Sequence, residues 1–145
     1  MIRALVLAAA LARCAAFAQS PADLISPADL AARLKAAGKP AIIYVGFPVL
    51  YRGNHIPGAL LGGPASKPDG LDALKQTAAK LPKSAEIVIY CGCCPWRHCP
   101  NVRPAFHALR ELGYTRVKVV EIPTNLATDW IDKGYPVEKG AAPAN

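Results

Sequence analysis

Apolar positions along this chain fall into two rhythms that alternate from end to end. Ala41-Ile-Ile-Tyr-Val45, Ile87-Val-Ile-Tyr90 and Val117 to Glu121 are short runs dominated by β-branched and aromatic residues. Runs of that length and composition read as strands buried on both faces. Between them, apolar residues recur at helical spacing: Leu30, Leu34 and Ala37; Leu71, Leu74, Ala78 and Leu81; Val102, Ala105, Phe106, Leu109 and Leu112. The first of these helices opens with Ser26 as cap and Pro27 at its first position, and Gly38-Lys39-Pro40 ends it. The second is expected from about Asp69 to Leu81, and a last one from about Thr124 to Lys133, before Gly134-Tyr-Pro136. Arg52 to Pro64 is loop-rich, with one short apolar segment at Ala59-Leu60-Leu61.

Strands alternating with helices predict an α/β domain with a parallel sheet covered on both faces. The third helix carries a basic face of Arg103, His107 and Arg110 opposite its apolar stripe. Pro104 cannot donate a helical hydrogen bond, so it belongs in the first turn. With Asn101 as N-cap, Pro104 takes the third helical position, and the loop before the helix runs from Gly92 to Pro100. Ligands of open α/β sheets bind at the carboxyl ends of strands, and this loop is expected there.

The ends of the chain add a compartment. Arg3 followed by the apolar run Ala4 to Ala12 and by Ala16-Phe17-Ala18 reads as a secretory signal with a cut after Ala18. Residues 1–18 are then the signal and 19–145 a single domain, expected in the periplasm or secreted. The apolar run is too short for a membrane span, which needs about 20 residues. Lipidation at Cys14 is disfavoured by Arg13, which stands where a lipoprotein signal wants a small residue. Lys and Arg number 17 against 10 Asp and Glu, a net +7, and without Arg3 and Arg13 of the signal 15 against 10 leave +5. That balance suits small anionic substrates, while aromatics do not interleave with the cations as a nucleic-acid platform requires. No nucleic-acid partner is expected.

Chemistry concentrates in Cys91-Gly-Cys93-Cys94-Pro-Trp-Arg97-His98-Cys99-Pro-Asn101, which holds four of the five cysteines. All four lie in one loop, so they cannot staple distant parts of an exported fold. Cys91 with Cys99, or Cys94 with Cys99, can pair locally; Cys93 with Cys94 could close only under strain. Thiols at a strand-to-helix junction meet helix N-terminal amides, which favour the thiolate. Three chemistries fit. A thiolate at Cys91, the most rigid of the four positions, can attack the outer sulfur of an anionic donor such as thiosulfate, with Arg97, His98, Arg103 and loop amides holding the anion. Four thiolates and an imidazole can hold Cu(I) or Zn(II), although the C-x-C-C-x4-C spacing lacks the paired knuckles of structural zinc sites. Thiol–disulfide exchange with a redox partner is the third.

Several segments together resemble rhodanese domains. Asn54-His55-Ile-Pro-Gly-Ala59 is similar to their G-H-I-P-G-A segment, and Ile87 to Cys91 to the strand entering their active site. Leu112-Gly-Tyr114 with Val117-Lys-Val119, and Trp130 with Gly134-Tyr-Pro-Val137, resemble later landmarks in the same order. The resemblance implies a rhodanese-like α/β fold of about five parallel strands. It places the persulfide-forming cysteine at Cys91, with Cys93, Cys94 and Cys99 as secondary thiols. A small sulfur donor and a thiol or cyanide-like acceptor would be its partners, and no cofactor or metal is called for. The chain departs from the pattern at Tyr44-Val45-Gly46, where rhodaneses carry Asp-Val-Arg, at Asn54, and in its longer, cysteine-rich loop, which resembles an exported subgroup with C-G-C-C-P-W-x-x-C-P-N. Cys91 to Arg97 also matches the C-x5-R loop of rhodanese-fold phosphatases and arsenate reductases, although Pro95 removes an amide from such a cradle. Of the remaining residues, His55 is expected to tie down its loop, His107 to face solvent, Trp130 to be core, Trp96 to guard the pocket or pack the loop, and Asn101 to cap its helix.

Overall fold

The computed structural model describes residues 19–141; the signal-peptide expectation falls outside them. Its elements are β1 (Leu24–Ile25), α1 (Pro27–Arg33), β2 (Ala41–Tyr44), α2 (Pro48–Gly53), β3 (Leu60–Leu61), α3 (Pro68–Ala79), β4 (Glu86–Tyr90), α4 (Val102–Glu111) and β5 (Arg116–Val120), followed by a π-helical turn at Ala127–Ile131. The five strands form one sheet in the order β1-β5-β4-β2-β3, every pairing parallel. This is the α/β architecture expected, with β4 at the centre. Among the described residues no helix is long and apolar enough to cross a membrane.

Successive residues of a strand face opposite sides of the sheet, and β4 uses both. Ile87, Ile89 and then Cys91 join a core layer with Leu74 and Ala78 of α3 and Val102, Ala105, Phe106 and Leu109 of α4. Val88 and Tyr90 join the other layer, with Leu30 of α1, Tyr51 of α2, Leu126 and Trp130. The residue that leaves the sheet as Cys91 therefore starts on the α3/α4 side.

Ser26 caps α1 as expected, accepting a hydrogen bond from the Asp29 amide at 3.1 Å. The helix closes a turn early, at Arg33, because Lys35 and Ala36 donate to carbonyls three residues back and tighten the chain. Arg33 meets Glu86 through two hydrogen bonds of 2.9 and 2.6 Å, pinning the end of α1 to the start of β4. The last expected helix is instead the π-helical turn, preceded by Thr124 and Asn125, whose amides donate to the Asp129 carboxylate at 2.6 and 3.1 Å. Trp130 is fully buried from this turn, and its Nε1 donates to the Pro136 carbonyl at 2.8 Å. Helix α2 and strand β1 were not legible from spacing. Each is too short for a period, and the one local sign of α2 is Pro48 at its first position.

Candidate active site at the end of the central strand

Cys91 follows Tyr90 directly and is buried at 3% exposure. A cleft of about 260 Å³ opens over it, walled by Tyr44, Val49, Leu50, Asn54, Cys93 and Leu126, with Ile131 behind. Two neighbours make room for the sulfur. Gly46 packs so closely that a Cβ there would stand 3.0 Å from Cys91 Sγ and 2.5 Å from the Tyr44 hydroxyl. This accounts for one departure at Tyr44-Val45-Gly46: a side chain at 46 would collide with the thiol. Tyr44 is itself buried, its hydroxyl has no hydrogen-bond partner among the described residues, and burial followed by the adjacent thiols raises its pKa.

The loop turns sharply at Gly92, whose φ of 80° lies in the left-handed region that favours glycine. It is anchored on the segment that follows β5 by Leu126 N–H to Gly92 O at 2.8 Å and Trp96 N–H to Ile122 O at 2.9 Å. The turn folds the cysteines back on one another. Cys91 Sγ lies 3.2 Å from Cys93 Sγ, and Cys93 Sγ lies 3.3 Å from Cys94 Sγ. The Sγ atoms of Cys91, Cys93 and Cys99 all lie within 4.8 Å of one another. All four thiols are free. Cys93 is exposed at the cleft mouth, whereas Cys99 is buried in the α3/α4 layer beside Val102 and Phe106 and does not border the cleft.

Helix amides serve a different thiol from the one expected. Cys99 stands two residues before Asn101, so the N–H groups at the start of α4 face its sulfur. The Cys91 thiol facing it as donor, then the Asn101 amide, Cys94 and the Val102 amide hold the Cys99 pKa down at about 5 against the effect of burial. Cys91 is correspondingly pushed well above the ordinary thiol range, by the facing Cys99 first and by burial second. Cys94 is pushed up to about 12, chiefly by burial. Of the two buried thiols, Cys99 takes the negative charge and Cys91 holds the proton.

Asn101 corrects a second expectation. It precedes α4 but makes no capping bond with its side chain. Its side chain is 1% exposed and bridges two other groups: Nδ2 donates to Cys91 Sγ at 3.5 Å, and Oδ1 accepts from the Ser66 amide at 3.0 Å. Asn101 and Tyr44 are the groups at Cys91 that sequence reading passed over. Asn101 fits a helix start so well that a cap was the obvious role, and Tyr44 sits in an apolar run whose contacts depend on pairing with β4.

Arg97, His98 and Arg103, expected to hold an anion, are all exposed, and none borders the cleft over Cys91. The Arg97 guanidinium lies 4.7 Å from the Trp96 ring centre and lines a separate cleft of about 490 Å³ with Ser26, Glu121, Asp129 and Lys133. It is turned away from the place a C-x5-R cradle would need it. Trp96 packs the loop onto the domain. His55 is structural, as expected: buried, stacked on Tyr51 at 3.8 Å, bonded through Nδ1 to the Tyr51 carbonyl at 2.8 Å, and bridged by its backbone to Glu138.

Comparison with known proteins identifies the fold. The Rhodanese-like domain family matches residues 26–121, more than half of the chain, and the chain belongs to that family. No curated protein matches. Among solved structures, the BH2092 protein from Bacillus halodurans is 25% identical with a TM-score of 0.64, over 81% of this chain and 77% of that one. The Alr3790 protein from Anabaena sp. is 24% identical with a TM-score of 0.63, covering 80% and 92%. A thiosulfate sulfurtransferase from Pseudomonas aeruginosa is 27% identical with a TM-score of 0.60 over 81% of this chain, which spans 19% of that longer protein.

Proposed function

We propose that the domain carries sulfane sulfur as a persulfide on Cys91, taking it from a small anionic donor such as thiosulfate and passing it to a thiol or cyanide-like acceptor. The observation that carries this reading is the position of Cys91. It is the buried thiol at the carboxyl end of the central strand, and the cleft opens directly onto it. In the transfer, Cys91 Sγ attacks the outer sulfur of the donor, the bond to the sulfonate sulfur breaks, and sulfite leaves with the electron pair. The proton on Cys91 has an acceptor at hand in the Cys99 thiolate, which serves as the general base. Asn101 Nδ2 orients the sulfur, and the unpartnered Tyr44 hydroxyl at the cleft wall supplies a donor to the bound group. The cleft lining holds no cation; Arg97 and Arg103, exposed outside it, add to the net positive charge that attracts anions to the domain. The signal pattern at residues 1–18 supports action after export, which N-terminal sequencing of the secreted form checks.

The test is intact-protein mass spectrometry of the reduced mature chain after thiosulfate treatment. A gain of about 32 Da, one sulfur atom, mapped to Cys91 in samples quenched in acid at short times is the expected covalent intermediate. A Cys91→Ser protein that still takes up sulfur removes the assignment. One observation favours a second reading: the sulfurs of Cys91, Cys93 and Cys99 are grouped closely enough to hold Cu(I) or Zn(II). Stoichiometric metal retained by the reduced protein, with no sulfur uptake, would select it.

A further inference from the structure

We propose that Cys99 is a resolving thiol: it attacks the Cys91 persulfide at Sγ, releases the outer sulfur as hydrogen sulfide and closes a Cys91–Cys99 disulfide. This rests on the persulfide reading and extends it from sulfur transfer to sulfur reduction. Three features of the site carry it. The two Sγ atoms already lie within 4.8 Å of each other. Cys99 sits at the junction of loop and helix, so the approach to a bond of about 2 Å falls on the loop and not on the strand. Finally, the two thiols meet different surroundings. The cleft walls Tyr44 and Leu126 belong to one core layer, while Cys99 belongs to the other, with Val102 and Phe106. A donor entering the cleft reaches Cys91 and cannot reach Cys99. The transferred sulfur is left on the cleft side, and Cys99, which does not border the cleft, comes at Cys91 from within the α3/α4 layer that both thiols share. Displacement at sulfur needs nucleophile and leaving group in line, and the movement of the loop that brings Cys99 onto Sγ supplies that alignment.

The step balances without an outside oxidant. Cys91 gives its proton to Cys99 as it attacks the donor, and sulfite departs. The outer sulfur of the persulfide takes up a proton from solvent in the open cleft, and Cys99 gives up to solvent the one it received. Its thiolate then forms the new S–S bond while the Sγ–sulfur bond breaks, and HS⁻ leaves carrying the proton and the electron pair. The two cysteines are oxidised to a disulfide and the sulfane sulfur is reduced to sulfide. A further turnover needs an external dithiol, which supplies two electrons by thiol–disulfide exchange. Cys93 stands in a different relation to the persulfide. It lines the cleft 3.2 Å from Cys91 Sγ, on the side of the outer sulfur, so its attack would relay the sulfur outward and release none.

The experiment uses the mature, fully reduced, metal-free chain freed of small thiols, mixed with thiosulfate under anaerobic conditions without an acceptor. About one sulfide per chain is expected, together with a mass about 2 Da below the reduced form, for the two hydrogens lost on closing a disulfide. Trypsin separates the partners, since cleavage after Arg97 leaves Cys91, Cys93 and Cys94 on one peptide and Cys99 on the next. Fragmentation of the linked pair then reads out Cys91 with Cys99. Cys99→Ser and Cys99→Ala are expected to hold the persulfide on Cys91 and release no sulfide, while Cys93→Ser still releases sulfide and still gives the Cys91–Cys99 crosslink. A wild-type chain that keeps the added sulfur without releasing sulfide overturns the resolving role and leaves the persulfide standing. A crosslink mapped to Cys93, or undiminished release from both Cys99 variants, overturns it too. A wild-type chain that neither gains sulfur nor releases sulfide overturns both readings together. The wild-type measurements decide the matter even if the Cys99 variants fold poorly.

Discussion

The end of β4 and the start of α4 bring two buried thiols within 4.8 Å of each other and treat their protons in opposite ways. Cys91 emerges from the central strand of the sheet, where the facing Cys99 thiolate first and burial second keep it neutral. Cys99 is nearly as buried, at 5% exposure, but accepts from the Cys91 thiol and, after it, from the backbone amides of Asn101 and Val102. Burial alone raises a thiol's pKa; burial against unpaired helix amides lowers it. In the proposed reaction, one loop thereby holds a thiol that receives the sulfur and a thiolate that takes its proton. The cleft sorts them the same way, because it opens on Cys91 and excludes Cys99.

The sharpest break of this comparison is Cys91→Ser, which is expected to reduce sulfur uptake below detection in the mass assay. Next in size is the titration of the pair. Thiolate absorbance in the ultraviolet is expected to persist below neutral pH and to vanish with a midpoint near 5 in the wild type, and Cys99→Ser should abolish that step. The linked stability follows in sign. A thiol whose folded pKa is depressed stabilises fully above its unfolded pKa, and the contribution drains away as pH falls towards the folded value. The advantage of wild type over Cys99→Ser in urea melts should therefore shrink between about pH 9 and pH 5. A constant difference across that range would remove the assignment of charge to Cys99.

Smaller effects probe what holds the two thiols apart. Gly46→Ala puts a methyl against Cys91 Sγ and the Tyr44 hydroxyl; overpacking of this kind costs about 1–3 kcal/mol. Sulfur uptake should slow along with the loss in urea midpoint, and an unaffected rate would place the reacting sulfur elsewhere. Asn101→Ala leaves the Ser66 amide without its acceptor and Cys91 without its donor. A stability loss of about 1 kcal/mol is expected for the two lost hydrogen bonds, since the exposed Ser66 amide can turn to water, and fluorescence-monitored unfolding measures it. Far from the site, Glu86→Gln weakens the paired bonds to Arg33 and the contact with Arg116. It should cost about 1 kcal/mol and leave uptake untouched.

What was legible and what was not divides along the length of the interactions concerned. Alternation of apolar runs and helical stripes led to a parallel α/β sheet, and Pro104 with Asn101 placed the start of α4 correctly at Val102. The four clustered cysteines pointed to the candidate site, and the order of landmarks from His55 to Pro136 led to the rhodanese-like family. These features are written within a few residues of one another, in periods, caps and turns. The role of each thiol is not. Cys99 becomes the thiolate only because the loop, turned at Gly92 and anchored on Ile122 and Leu126, returns it to the amides of α4 beside Cys91. Arg97 leaves the site because the same anchoring lays Trp96 against the domain and draws the guanidinium over its ring. Tyr44, Gly46 and Asn101 converge on one sulfur from three separate segments. The sequence by itself determined the architecture and the address of the chemistry. The tertiary structure alone decided which sulfur bears the charge and which one faces the cleft, because pKa and access depend on desolvation and on donors brought together across the fold.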